Sequence, residues 1–178
     1  KYFELAQDID LEGLDINNGS WNPIGWYQNE EEMGEPVSHG FSGTFDGCGN
    51  TIWGLKIHRA GTDADYAGLF GLIDGGCVRN LKIENAQIYG GDKAAVLAGA
   101  VTGKSYIYDV FVSGYVRASG DAGGIAGSAE GKGDRVLIEN CRAEGISVLS
   151  EGGSSYTGGI AGQAAEADLI DNVVITQD

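Results

Sequence analysis

The chain has 178 residues, of which 42% are hydrophobic, so it is long enough for one domain with a buried core and too apolar for a disordered tract. Its 31 glycines follow no three-residue period, which excludes collagen, and no run of about 18 apolar residues could cross a membrane. The formal charge of −15 repels phosphate backbones, so we expect no nucleic-acid partner, whereas divalent cations would be attracted.

The N-terminal part of the chain predicts one coil that is decorated by two loops. Residues 2–11 alternate between apolar and polar side chains, as a strand does. A Trp-rich loop over residues 21–26 and an acidic stretch over residues 28–36 follow. Within a single domain, we expect residues 1–51 to form this coil and residues 52–178 to form regular coils.

A short glycine-containing motif recurs four times, and its closing glycines are 28, 28 and 35 residues apart. The copies lie at 68–71, 96–99, 124–127 and 159–162. Their small residues predict a narrow interior wall, in which Ala98, Ala126 and Ala161 stack beneath Phe70. Because no copy connects a strand to a helix, a phosphate-binding loop is not expected.

A six-residue motif follows, with apolar side chains at its first, fourth and sixth positions. Its copies lie at 52–57, 78–83, 107–112, 138–143 and 170–175. The third position holds residue types that tolerate the left-handed backbone region, so we expect a bend with stacked side chains there, although Asn also marks ordinary turns. The bend residues are Gly54, Asn80, Asp109, Asn140 and Asn172. The fourth positions predict an inward column of Leu55, Leu81, Val110, Cys141 and Val173.

A weaker third apolar segment completes each period, so every period of about 30 residues contains three short strands and no helical pattern. Such a unit cannot form a βαβ crossover. It can form one coil of a solenoid, in which each strand pairs in parallel with its equivalent one coil away. The sequence therefore predicts an all-β fold, a right-handed single-stranded parallel β-helix with three sides and about 4–5 coils, spaced by about 4.8 Å.

Four segments resemble the opening and the naming motif of the GLUG-motif repeat proteins. They are residues 4–11, 21–25, 41–47 and 67–71, in the order found in that family. The resemblance covers essentially the whole chain and implies a parallel β-helix in large secreted or surface-anchored bacterial proteins, including adhesin-like proteins and non-catalytic regions of IgA-specific metallopeptidases. It transfers no catalytic residue. The sequence departs from the family pattern at Cys48 and at the second glycine motif, which lacks its first Gly.

Two sets of side chains are candidate ligand sites. The first set could stack on sugar rings or plug one end of the core, and it consists of Trp21, Trp26, Tyr27 and Trp53. The second set precedes the glycine motif at intervals of 6, 7 and 6 residues before its closing glycine, and it consists of Asp65, Asp92 and Asp121. These three carboxylates would form a column near one corner that either binds calcium, the single cofactor suggested by the sequence, or is simply solvated.

A catalytic site is not expected, because the two histidines are isolated and no zinc-binding spacing of His or Cys occurs. If activity exists, Asp46 or the run at residues 30–32 would supply the acid. Cys48 and Cys77 could form a disulfide; the alternative is that both, like Cys141, are small buried hydrophobic residues.

The sequence therefore predicts a non-catalytic structural, presenting or adhesion module of an extracellular bacterial surface protein. The alternative is a carbohydrate-binding or polysaccharide-cleaving β-helix module. The chain does not begin with Met, and its last apolar strand is followed by no capping segment. We therefore expect further coils or a cap after Asp178, with the rest of a longer chain as a partner, besides glycans or proteins of a host or cell surface.

Overall fold

The chain folds into a solenoid of short β-strands. The computed structural model describes residues 1–13, 20–28, 37–58 and 65–175, and no helix forms within these ranges. The strands are β1 (Tyr2–Glu4), β2 (Ile9–Asp10), β3 (Trp26–Gln28), β4 (Val37–His39), β5 (Thr44–Asp46), β6 (Thr51–Trp53), β7 (Lys56–His58), β8 (Tyr66–Ala67), β9 (Phe70–Asp74), β10 (Cys77–Gly90), β11 (Lys93–Ala95), β12 (Ala98–Thr102), β13 (Tyr106–Ala118), β14 (Asp121–Gly123), β15 (Ala126–Glu130), β16 (Val136–Glu139), β17 (Arg142–Ser150), β18 (Thr157–Gly158), β19 (Ala161–Ala165), β20 (Ala167–Ile170) and β21 (Val173–Ile175).

Three parallel sheets run along the solenoid. The first contains β1, β5, β10, β13, β16 and β20 in that order, with β2, β6, β7, β17 and β21 alongside. The second has the order β18-β14-β11-β8, and the third has the order β19-β15-β12-β9. Strands in these sheets pair with their equivalents one turn away, over about 4 turns, which confirms the predicted all-β parallel solenoid.

Apolar side chains at equivalent positions stack along the interior and supply the main stabilising burial. One inward column of the first sheet is formed by Phe3, Phe45, Val78, Ile107, Ile138 and Leu169. Its internal members Val78, Ile107 and Ile138 are fully buried. The stack predicted for the glycine motif is also confirmed, in the third sheet, as Phe70, Ala98, Ala126 and Ala161.

The bend predicted within the six-residue motif is present in three successive turns. Asn80, Asp109 and Asn140 adopt φ values of 51°, 55° and 52°. Asn140 Nδ2 donates a hydrogen bond to Asp109 Oδ1, so these two bends are bonded to each other as predicted. In the turn before, Asn80 Nδ2 donates instead to Asp46 Oδ1 at 3.0 Å. Polar side chains therefore support the left-handed backbone at this corner.

The sequence-based placement of the first copy of this motif is wrong. Ile52 pairs with Ile83, so Gly54 and Leu55 lie one corner further along the turn, where Asn85 also has a positive φ. Leu55 is fully buried, but it belongs to a different inward column from the one predicted. The error arises because both corners place a Gly or Asn between apolar residues, so the two look alike in sequence.

The last copy of the motif is shifted by one residue. Its bend is at Asp171, with φ 52°, and Asn172 takes the inward position, where its Oδ1 accepts the Cys141 N–H at 2.8 Å. Val173 pairs with Arg142 and is 44% exposed, so it is not the core residue that was predicted. The members of the predicted column that do stack are Leu81, Val110 and Cys141.

A hairpin interrupts the N-terminal turn. Ile24 pairs with Phe70 and Phe41 pairs with Ile73, so the residues on both sides of the hairpin lie against β9. Between them β3 and β4 pair in antiparallel fashion. After the hairpin, β5 pairs in parallel with β10. The division into a decorated coil over residues 1–51 and regular coils over residues 52–178 stays a prediction.

All three cysteines are free thiols, so no disulfide joins Cys48 to Cys77 in this structure. Cys48 is exposed, whereas burial raises the pKa of Cys141 to about 12. We expect a thiol reagent at mildly alkaline pH to modify Cys48 in the folded protein, and Cys141 only after unfolding. Mass spectrometry of the labelled peptides measures both, with Cys48→Ser as the control for the fast reaction. A mass two hydrogens lower than that of the reduced chain would contradict this assignment.

Candidate binding groove

The tryptophans proposed as a sugar-stacking set lie in different surroundings. Trp21 packs against the core and donates its indole N–H to a backbone carbonyl at 3.1 Å, as a plug would. Trp26 is 55% exposed, with its ring 4.8 Å from that of His39. Trp53 is 42% exposed on the first sheet, and the side chain of Tyr27 lies outside the described part of the chain. Trp21 is therefore a core residue, whereas Trp26 and Trp53 are exposed, and sugar stacking on these two side chains stays a prediction.

The predicted column of three aspartates is corrected by the register of the second sheet. Lys93 pairs with Tyr66 on one side and with Asp121 on the other, so Asp92 is the neighbour of Asp65, and Asp121 lies one residue out of line. The prediction counted back from the closing glycine of each motif. In the turn that contains Tyr66, the corner between the second and third sheets is one residue shorter than in the following turns, so equal counts do not give equivalent positions. A one-residue shift also moves a side chain to the other face of the sheet. Among the described residues, no group of three His, Cys, Asp or Glu side chains could hold a metal ion.

Asp46, the candidate acid, is an almost buried carboxylate that joins neighbouring turns. It accepts hydrogen bonds from Asn80 Nδ2 at 3.0 Å and the Cys48 N–H at 2.9 Å, from Arg79 Nε at 2.8 Å and from the Tyr2 hydroxyl at 3.3 Å. These hydrogen bonds, that of Asn80 above all, together with the Arg79 charge lower the pKa of Asp46 to about 2. A carboxyl held in its ionised form by four donors is suited to fastening turns together, and it is a poor general acid near neutral pH.

The lowered pKa of Asp46 makes its contribution to stability depend on pH. Because the folded-state pKa lies below the ordinary value of 3.8, the stabilisation is present above about pH 4 and is lost as the pH falls through about 2. We expect Asp46→Asn to lower the free energy of unfolding by on the order of 1–2 kcal/mol at neutral pH, and by much less near pH 2. Urea unfolding at both pH values measures this, with the exposed carboxylate variant Asp92→Asn as the control. An equal loss at both pH values would contradict the assignment.

A groove follows the outer surface where the second and third sheets meet. Its volume is about 240 Å³. One wall carries Tyr66 from β8 and Lys93 from β11, and the other carries Asp74 from β9 and Glu130 from β15. Because these strands belong to three successive turns, the groove runs along the solenoid axis.

The glycine motif creates the tight corner beside this groove. A Cβ on Gly99 would lie 2.8 Å from the backbone N of Ala67, and one on Gly127 would lie 2.6 Å from that of Ala94. The backbone of the third sheet therefore contacts the backbone of the second, which only glycine permits. The motif is structural, and it brings the two walls close enough for side chains to meet across the groove.

An ion pair bridges the two walls. Lys93 Nζ lies 3.1 Å from Glu130 Oε1, and the two side chains are only 19% and 24% exposed. The Lys93 ammonium also lies 5.9 Å from the centre of the Tyr66 ring. Burial alone would lower the pKa of Lys93, but the hydrogen bond and the charge of Glu130 outweigh it and raise that pKa. The result is a fixed, half-buried set of one aromatic and two charged groups.

Leu72 and Ala100, which pair in the third sheet, form an apolar part of the floor of the groove. Ser128 continues this column in the next turn, where it is fully buried and does not line the groove. Within the described part of the chain, Ser128 Oγ is a buried polar side-chain atom that has no hydrogen-bond partner. An unpaired buried hydroxyl costs roughly 1–3 kcal/mol of stability.

This groove was not predicted from the sequence. Tyr66, Lys93 and Glu130 come from three different turns and lie outside every copy of the two motifs, so no spacing rule brings them together. One signal was available: the repeat keeps the same side-chain class at inward positions, whereas the columns that contain these residues change class at every turn. The acidic run at residues 30–32, also proposed as a source of acids, lies outside the described residues.

Two curated proteins have sequences similar to part of this chain. Halomucin from Haloquadratum walsbyi is 37% identical over 135 residues, which cover 71% of this chain and 1% of halomucin. A putative Gly-rich membrane protein from Evansella cellulosilytica is 40% identical over 107 residues, which cover 59% of this chain and 11% of that protein. The chain therefore spans only a small part of either relative.

No model of a known protein family matches the chain, and no solved structure matches it. The GLUG resemblance therefore stays a prediction from sequence. Within the described ranges there is no helix long and apolar enough to span a membrane. The names of the two relatives are those of surface or membrane-associated proteins, and they say nothing more specific about where those proteins are located.

Proposed function

We propose that this chain is a non-catalytic structural module of a bacterial cell-surface protein, which acts as a rigid acidic spacer and presents its loops and groove to the surroundings. The observation that carries the proposal is the continuous pairing of turn on turn. β10 and β13 alone pair over eleven positions, from Cys77–Tyr106 to Gly90–Ala118. A stack held along this length by backbone hydrogen bonds resists bending, which is the property that a spacer needs.

The proposed extracellular setting is supported by charge and by similarity. A net charge of −15 on 178 residues favours a well-solvated surface that does not self-associate. The chain is similar to 1% of one relative and 11% of another, as expected for one module among many in a long protein. The partners that we propose are the neighbouring modules of the same long chain and the surface molecules that its exposed faces meet.

The polysaccharide-cleaving alternative receives little support from the groups that could carry it. Asp46 is held in its ionised form by its donors, as described above. The two histidines are engaged in ring packing, His39 with Trp26 and His58 with Tyr89, with ring centres 4.8 Å apart in each pair. Sugar binding without cleavage is a separate matter, because it requires only a groove and suitable polar groups.

Turnover assays test the non-catalytic part of the proposal. The chain is incubated with neutral and with uronic-acid polysaccharides, with and without calcium, and reducing ends and unsaturated products are followed. We expect no product above the level of a chain-free control. Turnover that disappears in a folded Asp46→Asn variant would overturn the non-catalytic assignment.

Antibody labelling tests the surface setting. Antibodies raised against the folded chain should label intact cells that make the parent protein, and protease added outside the cells should remove the label. Labelling that appears only after the cells are lysed would contradict a place at the cell surface.

A further inference from the structure

We propose that the open end of the solenoid, formed by β18, β19, β20 and β21, is a docking surface for a further turn of the same repeat, contributed by a neighbouring module of the parent protein. The proposal rests on the proposed function, because it names the surface through which one module joins the next. Its partner is defined by chemistry, as a strand-forming turn with apolar inward side chains and an amide side chain at its bend.

The strands of the open end are paired along one edge only. β18 pairs with β14, β19 with β15, β20 with β16 and β21 with β17, and no other strand of the described ranges pairs with them. Their second edges therefore offer backbone N–H and C=O groups to an added strand. The end is also stepped, because β20 and β21 of the first sheet stack on the turn that contains β18 and β19. A partner has to fill the second and third sheets of this upper turn.

Inward side chains that are buried one turn earlier are exposed at the open end. Leu169 continues the column of Ile138, and Val174 continues that of Ala143. Ile138 and Ala143 are fully buried, whereas Leu169 and Val174 are each 44% exposed. Ala164 of the third sheet is exposed as well, although its equivalent one turn earlier is fully buried. The face therefore has the side chains of the core, and a turn stacked on it would bury them.

The bend column supplies an independent observation, which also indicates what the partner carries. In two earlier turns an Asn amide donates a hydrogen bond to an acid of the turn before it, from Asn80 Nδ2 to Asp46 Oδ1 at 3.0 Å and from Asn140 Nδ2 to Asp109 Oδ1. Asp171 is the next bend residue, with φ 52°, and it is exposed, with no side-chain partner among the described residues. A further turn with Asn at its bend would repeat the same hydrogen bond and so fix the register.

The opposite end of the solenoid makes a second copy of the chain a poorer match. There Ile24 pairs with Phe70 and Phe41 pairs with Ile73, so the hairpin flanks cover the edge of the third sheet. A second copy would meet the open end with this covered edge. Two open ends that face each other would bring together two chains that each carry a charge of −15. A further repeat turn has neither disadvantage.

The chain contains an example of the turn that the open end lacks. Residues 112–142 run from the first sheet through β14 and β15 to β16 and Asn140, which stacks on Asp109. A synthetic peptide of this sequence, the probe peptide, is titrated under reducing conditions into the full chain and followed by heteronuclear NMR. We expect shifts of amide signals confined to β18–β21, with a Kd near or below about 1 mM.

An exchange of the two bend residues tests the register. Asn140→Asp in the probe peptide would place a carboxylate against Asp171, and it should weaken binding at least tenfold. Asp171→Asn in the chain should then restore binding, because the amide and the carboxylate have exchanged places and Asn tolerates the left-handed bend. Asp168→Asn is the matched control. It removes a carboxylate from the same end, but one that is paired with Arg135, so it should not restore binding.

Leu169→Lys tests the apolar part of the surface and should also weaken binding, with thermal melts of all variants to show that the fold is retained. The proposal is overturned if the probe peptide does not bind, if it shifts amide signals elsewhere, or if the exchange of bend residues does not restore binding. It is also overturned if a second copy fills the open end, which would shift the β18–β21 signals as the chain is concentrated without peptide. The turnover and labelling assays decide the non-catalytic surface role, so the two proposals can fail separately.

Discussion

Val110→Asp is expected to lower the free energy of unfolding by about 3 kcal/mol or more, which is a large part of the ~5–15 kcal/mol typical of a domain. Val110 is 1% exposed and stands between Leu81 and Cys141 in an inward column. A carboxylate there would have no partner and no water, and the turns above and below prevent it from turning outward. Urea unfolding followed by circular dichroism measures the loss.

The control for this substitution lies on the same strand. Tyr106 is also in β13, but it is 37% exposed, so Tyr106→Asp should cost no more than about 1 kcal/mol. If the two variants melt alike, the inward and outward faces of β13 have been assigned wrongly.

Gly127→Ala is expected to destabilise the fold by about 2–4 kcal/mol, although it adds a single methyl group. That methyl group would lie 2.6 Å from both the Ala94 N and the Gly99 O, and 3.0 Å from the Lys93 carbonyl carbon. All three are backbone atoms of paired strands, which cannot move without breaking the contact between the second and third sheets. Thermal unfolding of the purified variant measures the effect.

Gly153→Ala is the matched control, because a Cβ at Gly153 meets nothing within 4 Å. It should leave stability unchanged or raise it slightly, since alanine restricts the unfolded chain. Equal stability of the two variants would show that the closing glycine of the repeat is not required by close packing.

The repeat predicted the fold because solenoid packing imposes the same requirement in every turn. An inward position must be apolar in each copy, and a left-handed bend must be Gly, Asn or Asp, so the period could be read without alignment to other proteins. It was harder to predict which residue of each copy occupies which corner position. Gly54 and Asn172 were assigned to the wrong corner positions, because neighbouring corners carry similar residues and a bend can shift by one residue without changing the pattern.

The groove could not be predicted, because the side chains that form it do not repeat from turn to turn. Its walls depend on which residue of one turn meets which residue of the next, and a single short corner changes that register. The same shift that moved Asp121 out of the predicted aspartate column places Lys93 between Tyr66 and Asp121, within reach of Glu130. Residues that bind ligands need not repeat, so periodicity carries no information about them.

The central claim is that equivalent positions of successive turns lie in register, one above the other. It is tested most directly by nitroxide spin labels at Gln87 and Tyr115, which pair between β10 and β13, in a chain with the native cysteines replaced. Paired strands are about 4.8 Å apart, so we expect strong dipolar broadening of the electron paramagnetic resonance spectrum of the frozen sample. Labels at Gln87 and Lys104 are closer in sequence but lie on different sides of the turn, and they should give a narrow spectrum. Broadening for the second pair and none for the first would contradict the stacked solenoid.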